Sequence, residues 1–229
     1  MGPVNSTNYD ASLDWYFMRG GNASVALFQR NVNGFISTLT SDVPDGEFGT
    51  LRLTRPFNSG RGRIRGFEAG FRTFLRASFL SDFLDNFGVL ANYTYIDATN
   101  ELPALAAGDQ PGRQAFTNVS KHIANAAVFY ENKVMSLRAA YNYRSSFVSE
   151  YSSTNADPVF RPLVEDGRGS LDVNATLSPV ENITLYASAT NILGEAAQNR
   201  RAFNDAGDSF PFQTRFLESV YRLGVRFRF

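Results

Sequence analysis

The chain has 229 residues, which is enough for one large domain or two modest ones. Its 22 basic residues balance its 22 acidic residues, so the total charge gives no electrostatic basis for binding nucleic acid. The sequence has no cysteine and only one histidine, which excludes disulfides and thiolate sites and disfavours a histidine-based metal centre or catalytic triad. No run of about 18 apolar residues is present, so the sequence predicts no membrane-spanning helix.

Apolar and polar residues alternate along almost the whole chain, which is the pattern of β-strands. Near the N-terminus, the segment NYDASLDWYF places Tyr9, Leu13 and Trp15 on one face and Asp10 and Asp14 on the other. The same alternation continues in LRAAYNYR, LDVNATL and ITLYASAT. The chain ends on YRLGVRFRF, in which aromatic and aliphatic residues alternate with arginines and a glycine.

These alternating segments predict about nine strands. They lie near residues 7–18, 23–37, 50–76, 86–98, 118–131, 134–149, 167–178, 182–192 and 215–229. The third is long enough to be two pieces, and a change of phase near Phe28 predicts a β-bulge in the second. Many of these segments exceed the five or six residues that are usual in soluble sheets.

The connections between the predicted strands alternate between short and long. The short ones lie near residues 19–22, 77–85, 132–133 and 179–182. The long ones are rich in Asp, Gly, Pro, Ser and Asn, and lie near residues 38–49, 99–117, 150–166 and 193–214. This alternation predicts an antiparallel up-and-down sheet with tight turns at one end and long loops at the other.

Two all-β architectures fit this pattern, a transmembrane barrel and a soluble sandwich. The long strands, the aromatic residues near strand ends and a polar face with charges of both signs favour the barrel. We expect Glu68 to form an ion pair with Arg65, Arg72 or a neighbouring domain. The residues expected to face the barrel lumen are Asp10, Asp14, Glu68, Arg72, Arg138, Asp172, Arg222 and Arg226. Bacterial barrels use even strand numbers, so nine strands indicate a miscount or part of a larger barrel.

Several segments, taken in order, resemble the barrel of TonB-dependent outer-membrane receptors. They are NYDASLDWYF, SVALFQRNVNGFI, RPFNSGRGRIRGFEAGF, NYTYIDA, SLDVNATLSPVENITLYASATNILGE and YRLGVRFRF. The resemblance covers the chain from about residue 5 to residue 229. It implies that residues 1–229 form roughly the last nine strands of a 22-stranded barrel, with short periplasmic turns and long extracellular loops. The family's plug domain and signal peptide are expected to lie outside this sequence.

The resemblance also implies a function in the bacterial outer membrane. Such receptors take up scarce ligands, such as iron–siderophore complexes, cobalamin or oligosaccharides. The expected partners are outer-membrane lipid, the TonB energy-coupling complex acting through the plug, and the barrel-assembly machinery. Phe229 would be the C-terminal aromatic signal that this machinery reads. We expect no enzymatic activity, no cofactor, no metal site and no nucleic-acid partner.

The long loops hold the candidate ligand contacts, because loops on a rigid scaffold often carry function. The candidates are aromatic and basic residues near the expected extracellular rim: Tyr151, Phe160, Arg161, Arg200, Arg201 and Phe203. Two alternative functions stay open. One is a passive porin-like barrel closed by these 229 residues, and the other is a soluble β-sandwich that acts as a binding module.

Overall fold

The computed structural model describes residues 2–47, 49–76, 84–102, 112–152, 161–204 and 206–228. Phe160 and Phe229 therefore lie outside the described residues. The strands are β1 Asn5–Met18, β2 Gly21–Asp45, β3 Gly49–Phe74, β4 Phe87–Leu102, β5 Gly112–Ala115, β6 His122–Glu131, β7 Met135–Arg144, β8 Phe147–Ser152, β9 Arg161–Glu165, β10 Arg168–Val180, β11 Ile183–Thr190, β12 Ala197–Ala202, β13 Ser209–Arg215 and β14 Val220–Phe227. A 3₁₀ turn, Leu84–Asn86, precedes β4. No helix in the described part is long and apolar enough to cross a membrane.

Nine strands form the main sheet in the order β1-β2-β3-β4-β6-β7-β10-β11-β14, and β5 adds a short segment to β4. All of these pairs are antiparallel. Each of the nine predicted strands overlaps one strand of this path, so the predicted up-and-down sheet is confirmed. In the described part β1 pairs only with β2 and β14 only with β11, so the sheet is open. This arrangement contradicts the porin-like alternative, which required these residues to close a barrel.

The long hairpin β2–β3 differs from the prediction in two respects. The expected loop at 38–49 is a strand extension instead, in which Thr38 to Asp45 pair with Pro56 to Gly49. The third predicted strand is continuous, because β3 runs over 26 residues. The composition of these residues suggested a loop, but cross-strand hydrogen bonding to a paired neighbour overrides such a local preference.

The predicted bulge near Phe28 is wrong. The pairing of β1 with β2 runs without a break from Asn5 to Tyr16, and Phe28 stands opposite Asp10 on the polar face of the sheet. A Cβ on Gly66 would come within 2.8 Å of the Phe28 ring, so this ring occupies the space that the glycine leaves. The break in the apolar–polar alternation near Phe28 is therefore caused by the Phe28 side chain, which lies on the polar face.

Four short strands form a second, upper sheet in the order β13-β12-β9-β8. β8 follows β7, β9 precedes β10, β12 follows β11 and β13 precedes β14. The upper sheet therefore repeats the order of β14, β11, β10 and β7 beyond the long-loop end of the main sheet. The connections at 150–166 and 193–214 thus contain hairpins, whose strands of five to seven residues are too short to show clear alternation.

One face of the main sheet is apolar across its whole width. The strand register places one row of Trp15, Ala23, Phe71, Ala91, Ala126, Tyr141 and Leu171 on this face. A second row contains Val128, Ala139, Val173, Ala189 and Tyr221. No second layer of described residues covers this face, and Leu13 and Leu223 on it are 72% and 85% exposed. A soluble sandwich would bury such a face under a second sheet, so the structure contradicts the sandwich alternative.

The opposite face of the main sheet is polar. Its central row runs through Asp14, Ser24, Gly70, Asn92, Asn125, Asn142 and Ser170 on seven successive strands. One face suited to hydrocarbon and one suited to water are the two surfaces that a membrane barrel wall requires.

Candidate functional site

The described residues among the predicted ligand contacts lie in the upper sheet or directly after one of its strands, and this sheet has a small core of its own. Phe147, Leu163 and Ala197 are buried there. Glu165 is also buried, and its carboxylate lies 3.6 Å from the Arg215 guanidinium and 3.9 Å from that of Arg168. The two arginines compensate the buried carboxylate and connect β9 to β13 and β10. The upper sheet is therefore packed well enough to hold surface side chains in fixed positions.

Tyr151 lies on β8, where it connects the upper sheet to β5. The Ala115 amide donates to its phenol oxygen at 3.2 Å, and the phenol lies 3.5 Å from the Ala115 carbonyl oxygen. Burial raises the pKa of the Tyr151 phenol above its usual value, and the hydrogen bond with the Ala115 backbone partly offsets this rise. These contacts give Tyr151 a structural role in joining two parts of the wall.

Arg200 also makes a structural contact. Its guanidinium lies 2.7 Å from the Asp166 carboxylate, which joins β12 to the segment after β9. The Asp166 amide in turn donates to the Gln198 carbonyl oxygen at 2.8 Å. Asp166 was not among the predicted site residues, and only the pairing of β12 with β9 places it beside Arg200.

Arg201 and Phe203 belong to an aromatic surface formed by β12 and β13. The Arg201 guanidinium lies 5.7 Å from the centre of the Phe212 ring, and the Phe203 and Phe210 rings are 5.9 Å apart. All three phenylalanines are about half exposed. We call these four residues the aromatic–guanidinium surface. The prediction missed Phe210 and Phe212, although their spacing of two residues in SFPFQTR was the signal that they share a face.

Arg161 lies apart from that surface. It begins β9 and pairs with Ser152 of β8, whereas Arg201 pairs with Leu163 on the other side of β9. The structure therefore divides the described candidates into a β8–β9 group, Tyr151 and Arg161, and a β12 group, Arg200, Arg201 and Phe203. Phe160 belongs to neither group, because it lies outside the described residues.

A cavity of about 430 Å³ lies where the polar face of the main sheet meets the connections to the upper sheet. Its charged lining residues are Arg144, Arg168, Asp172, Glu195 and Glu218. The Gly169 amide donates to Glu195 at 2.9 Å, and the Asn191 amide donates to Asp172 at 2.9 Å. These carboxylates thus stabilise the strand ends, and the cavity is a hydrophilic recess with both signs of charge.

The register places all eight residues that were expected to face the lumen on the polar face of the main sheet. They are Asp10, Asp14, Glu68, Arg72, Arg138, Asp172, Arg222 and Arg226. Asp10 pairs with Arg30 at 3.2 Å, and Arg72 lies 5.8 Å from the centre of the Phe129 ring.

Of the partners expected for Glu68, neither Arg65 nor Arg72 forms an ion pair with it. Arg65 lies on the apolar side of β3, where its guanidinium pairs with Asp97 at 2.9 Å. Glu68 points to the polar face and has no ion pair with any described residue. For Arg65 the reason is strand geometry, because residues an odd number apart point to opposite faces.

The fold defines a class, the antiparallel wall of an outer-membrane β-barrel with short turns at one end and a strand-rich rim at the other. A family model described as "TonB dependent receptor-like, beta-barrel" matches residues 2–192. The chain therefore belongs to the TonB-dependent receptor β-barrel family, a family of transport receptors located in the bacterial outer membrane. No curated protein sequence matches the chain.

Solved structures of this family share the fold over the whole chain. The ferric-catecholate import receptor Fiu from E. coli K12 is 16% identical, with a TM-score of 0.63, and the match covers 100% of this chain and 28% of Fiu. The siderophore receptor PiuA from Acinetobacter baumannii is 16% identical, with a TM-score of 0.60, and the match covers 97% of this chain and 28% of PiuA. The copper transporter OprC is 18% identical, with a TM-score of 0.61, and the match covers 100% of this chain and 32% of OprC. The chain thus spans about three tenths of the length of these proteins.

Proposed function

We propose that this chain is the C-terminal barrel part of a receptor for TonB-dependent uptake of a scarce ligand across the outer membrane. The observation that carries the proposal is the open nine-stranded sheet with one apolar and one polar face, in a chain of this family. The open edges call for further strands, since hydrocarbon cannot satisfy unpaired backbone groups. The polar face then lines the lumen around a plug through which the TonB complex acts.

Among the ligands that this family takes up, we propose an anionic aromatic metal chelate of the ferric siderophore class. The support comes from the aromatic–guanidinium surface at the extracellular rim. Phenylalanine rings offer stacking surfaces for aryl groups, and the Arg201 guanidinium offers charge-assisted hydrogen bonds to an anion. Neutral oligosaccharides match this combination less well, because they carry no charge that requires a cation.

The test is uptake of a radiolabelled ferric catecholate by cells that express the receptor containing this segment. We expect saturable uptake that stops when the proton gradient is collapsed, while binding to the cells remains. Arg201→Ala and Phe212→Ala should each weaken binding about tenfold, a change of about 1.4 kcal/mol.

Arg19→Ala serves as the matched control, because Arg19 lies in the exposed turn after β1 at the opposite end of the sheet. It should leave binding unchanged. Uptake that continues after the gradient is collapsed would contradict the energy-coupled mechanism. Normal binding by both rim variants would reject the proposed ligand class at this surface.

A further inference from the structure

The apolar face of the main sheet ends at a sharp boundary towards the upper rim. On β2 the outward residues change from Leu27 to Gln29, and on β3 they change from Phe67 to Arg65. On β4 the outward residues change in the same row, from Tyr95 to Asp97. Three neighbouring strands therefore change from apolar to polar in one row of the sheet, and we take this row to mark the headgroup side of the apolar face.

An aromatic layer marks this boundary. The Phe67 ring stacks with that of Tyr95 at 5.9 Å and tilts against that of Tyr93 at 5.7 Å. The Lys121 ammonium lies 5.6 Å from the centre of the Tyr95 ring. Amphipathic rings of this kind sit at the headgroup level of a bilayer, so the layer supports the position of the boundary.

Directly above the boundary, β3 presents three outward arginines, Arg61, Arg63 and Arg65, all of them exposed. Their outward direction follows from the pairing of β3 with β4, which runs without a break from Arg61 to Phe74. Outward residues two apart stand about 6–7 Å from each other along a strand, so the three guanidinium groups form a ladder beside the headgroups.

The central arginine of this ladder forms no ion pair with any described residue. Arg65 pairs with Asp97 at 2.9 Å, and Arg61 stands opposite Glu101 in the register. Arg63 instead stands between Asn31 of β2 and Thr99 of β4, which are neutral hydrogen-bonding residues. A guanidinium flanked by an amide and a hydroxyl, at headgroup height, offers the donors that a phosphate group requires.

We propose that Arg63, flanked by Arg61, Arg65, Asn31 and Thr99, binds a phosphate group of an outer-leaflet glycolipid. The lipid's acyl chains would lie along the apolar rows below, and its phosphate would rest on the guanidinium ladder. The site faces the membrane and is separate from the proposed transport path, which lies on the other face of the sheet. It would fix the height of the receptor in the outer leaflet.

The experiment measures lipid retained by the intact receptor after extraction from the outer membrane. Lipopolysaccharide that co-purifies is quantified by native mass spectrometry, and binding is titrated with bisphosphorylated lipid A and with its dephosphorylated form in detergent. We expect Arg63→Gln to reduce affinity for the bisphosphorylated lipid at least fivefold and to leave the dephosphorylated lipid unaffected. Thr99→Lys, which adds a cation beside Arg63, should raise that affinity.

The matched control is Arg222→Gln, an exposed arginine on the polar face of β14, which should not change lipid binding. Because Arg63 makes no ion pair with a described residue, its substitution removes no ion pair from the described part of the fold. Equal affinities for the two lipid A forms, or equal loss in the Arg63 and Arg222 variants, would overturn the proposal. So would displacement of the lipid by millimolar inorganic phosphate, which would indicate a site for the free anion.

Discussion

Glycine at position 66 allows β3 and β4 to approach closely. A Cβ built on Gly66 would overlap the carbonyl oxygen of Tyr95, which belongs to the neighbouring backbone and cannot rotate away as a side chain could. Gly46 is the opposite case, because no atom of the described residues, apart from its two chain neighbours, lies within 4 Å of a Cβ built there. A glycine-to-alanine substitution can thus be compared at a crowded position, Gly66, and at an open one, Gly46.

We predict that Gly66→Ala lowers the free energy of unfolding by about 1–3 kcal/mol, since the added methyl group forces the paired strands apart. Gly46→Ala should stay within about 0.5 kcal/mol of the parent protein. The measurement is urea-induced unfolding of the receptor in phospholipid vesicles, followed by heat-modifiable gel mobility. Equal stabilities of the two variants would show that this close approach is not a constraint on the wall.

The alternation of apolar and polar side chains predicted the strands of the main sheet well. The reason is that one face of this sheet is apolar and the other is polar over most of the length of each strand. The rim could not be predicted in this way. The strands β8, β9, β12 and β13 have five to seven residues each, and contacts between distant segments stabilise them. The link between Arg200 and Asp166 spans 34 residues, so no local pattern could show it. For the same reason, Tyr151 and Arg200 looked like ligand contacts in the sequence and have structural partners in the fold.

Tyr151 supplies a test of how the rim is attached to the wall. Tyr151→Phe removes the phenol oxygen that accepts from the Ala115 amide, while the ring is retained. A typical hydrogen bond contributes about 0.5–1.5 kcal/mol, so amide exchange at Ala115 should become up to about tenfold faster. Tyr143→Phe, at an exposed position of β7, is the control and should leave this exchange rate unchanged. An unchanged rate in Tyr151→Phe would mean that other contacts hold β5 in place.

The whole molecule is an open wall with two chemically different surfaces. A nine-stranded sheet with no covering layer on its apolar side is not stable in water, because large apolar areas would remain hydrated. A bilayer on one side, and lumen water or a plug on the other, supplies the environment that each face requires. Under our two proposals, the outward arginines of β3 contact lipid and the residues of the polar face line the transport path.

The most direct test of this two-faced wall is a spin-label scan along β1. The chain has no cysteine, so single cysteines at residues 13, 14, 15 and 16 can each be labelled within this segment. In the receptor reconstituted into vesicles, we predict high accessibility to oxygen at residues 13 and 15, which face lipid. Accessibility to a water-soluble nickel chelate should be higher at residues 14 and 16. Loss of this alternation, or nickel accessibility at all four positions, would contradict the assignment of the apolar face to the membrane.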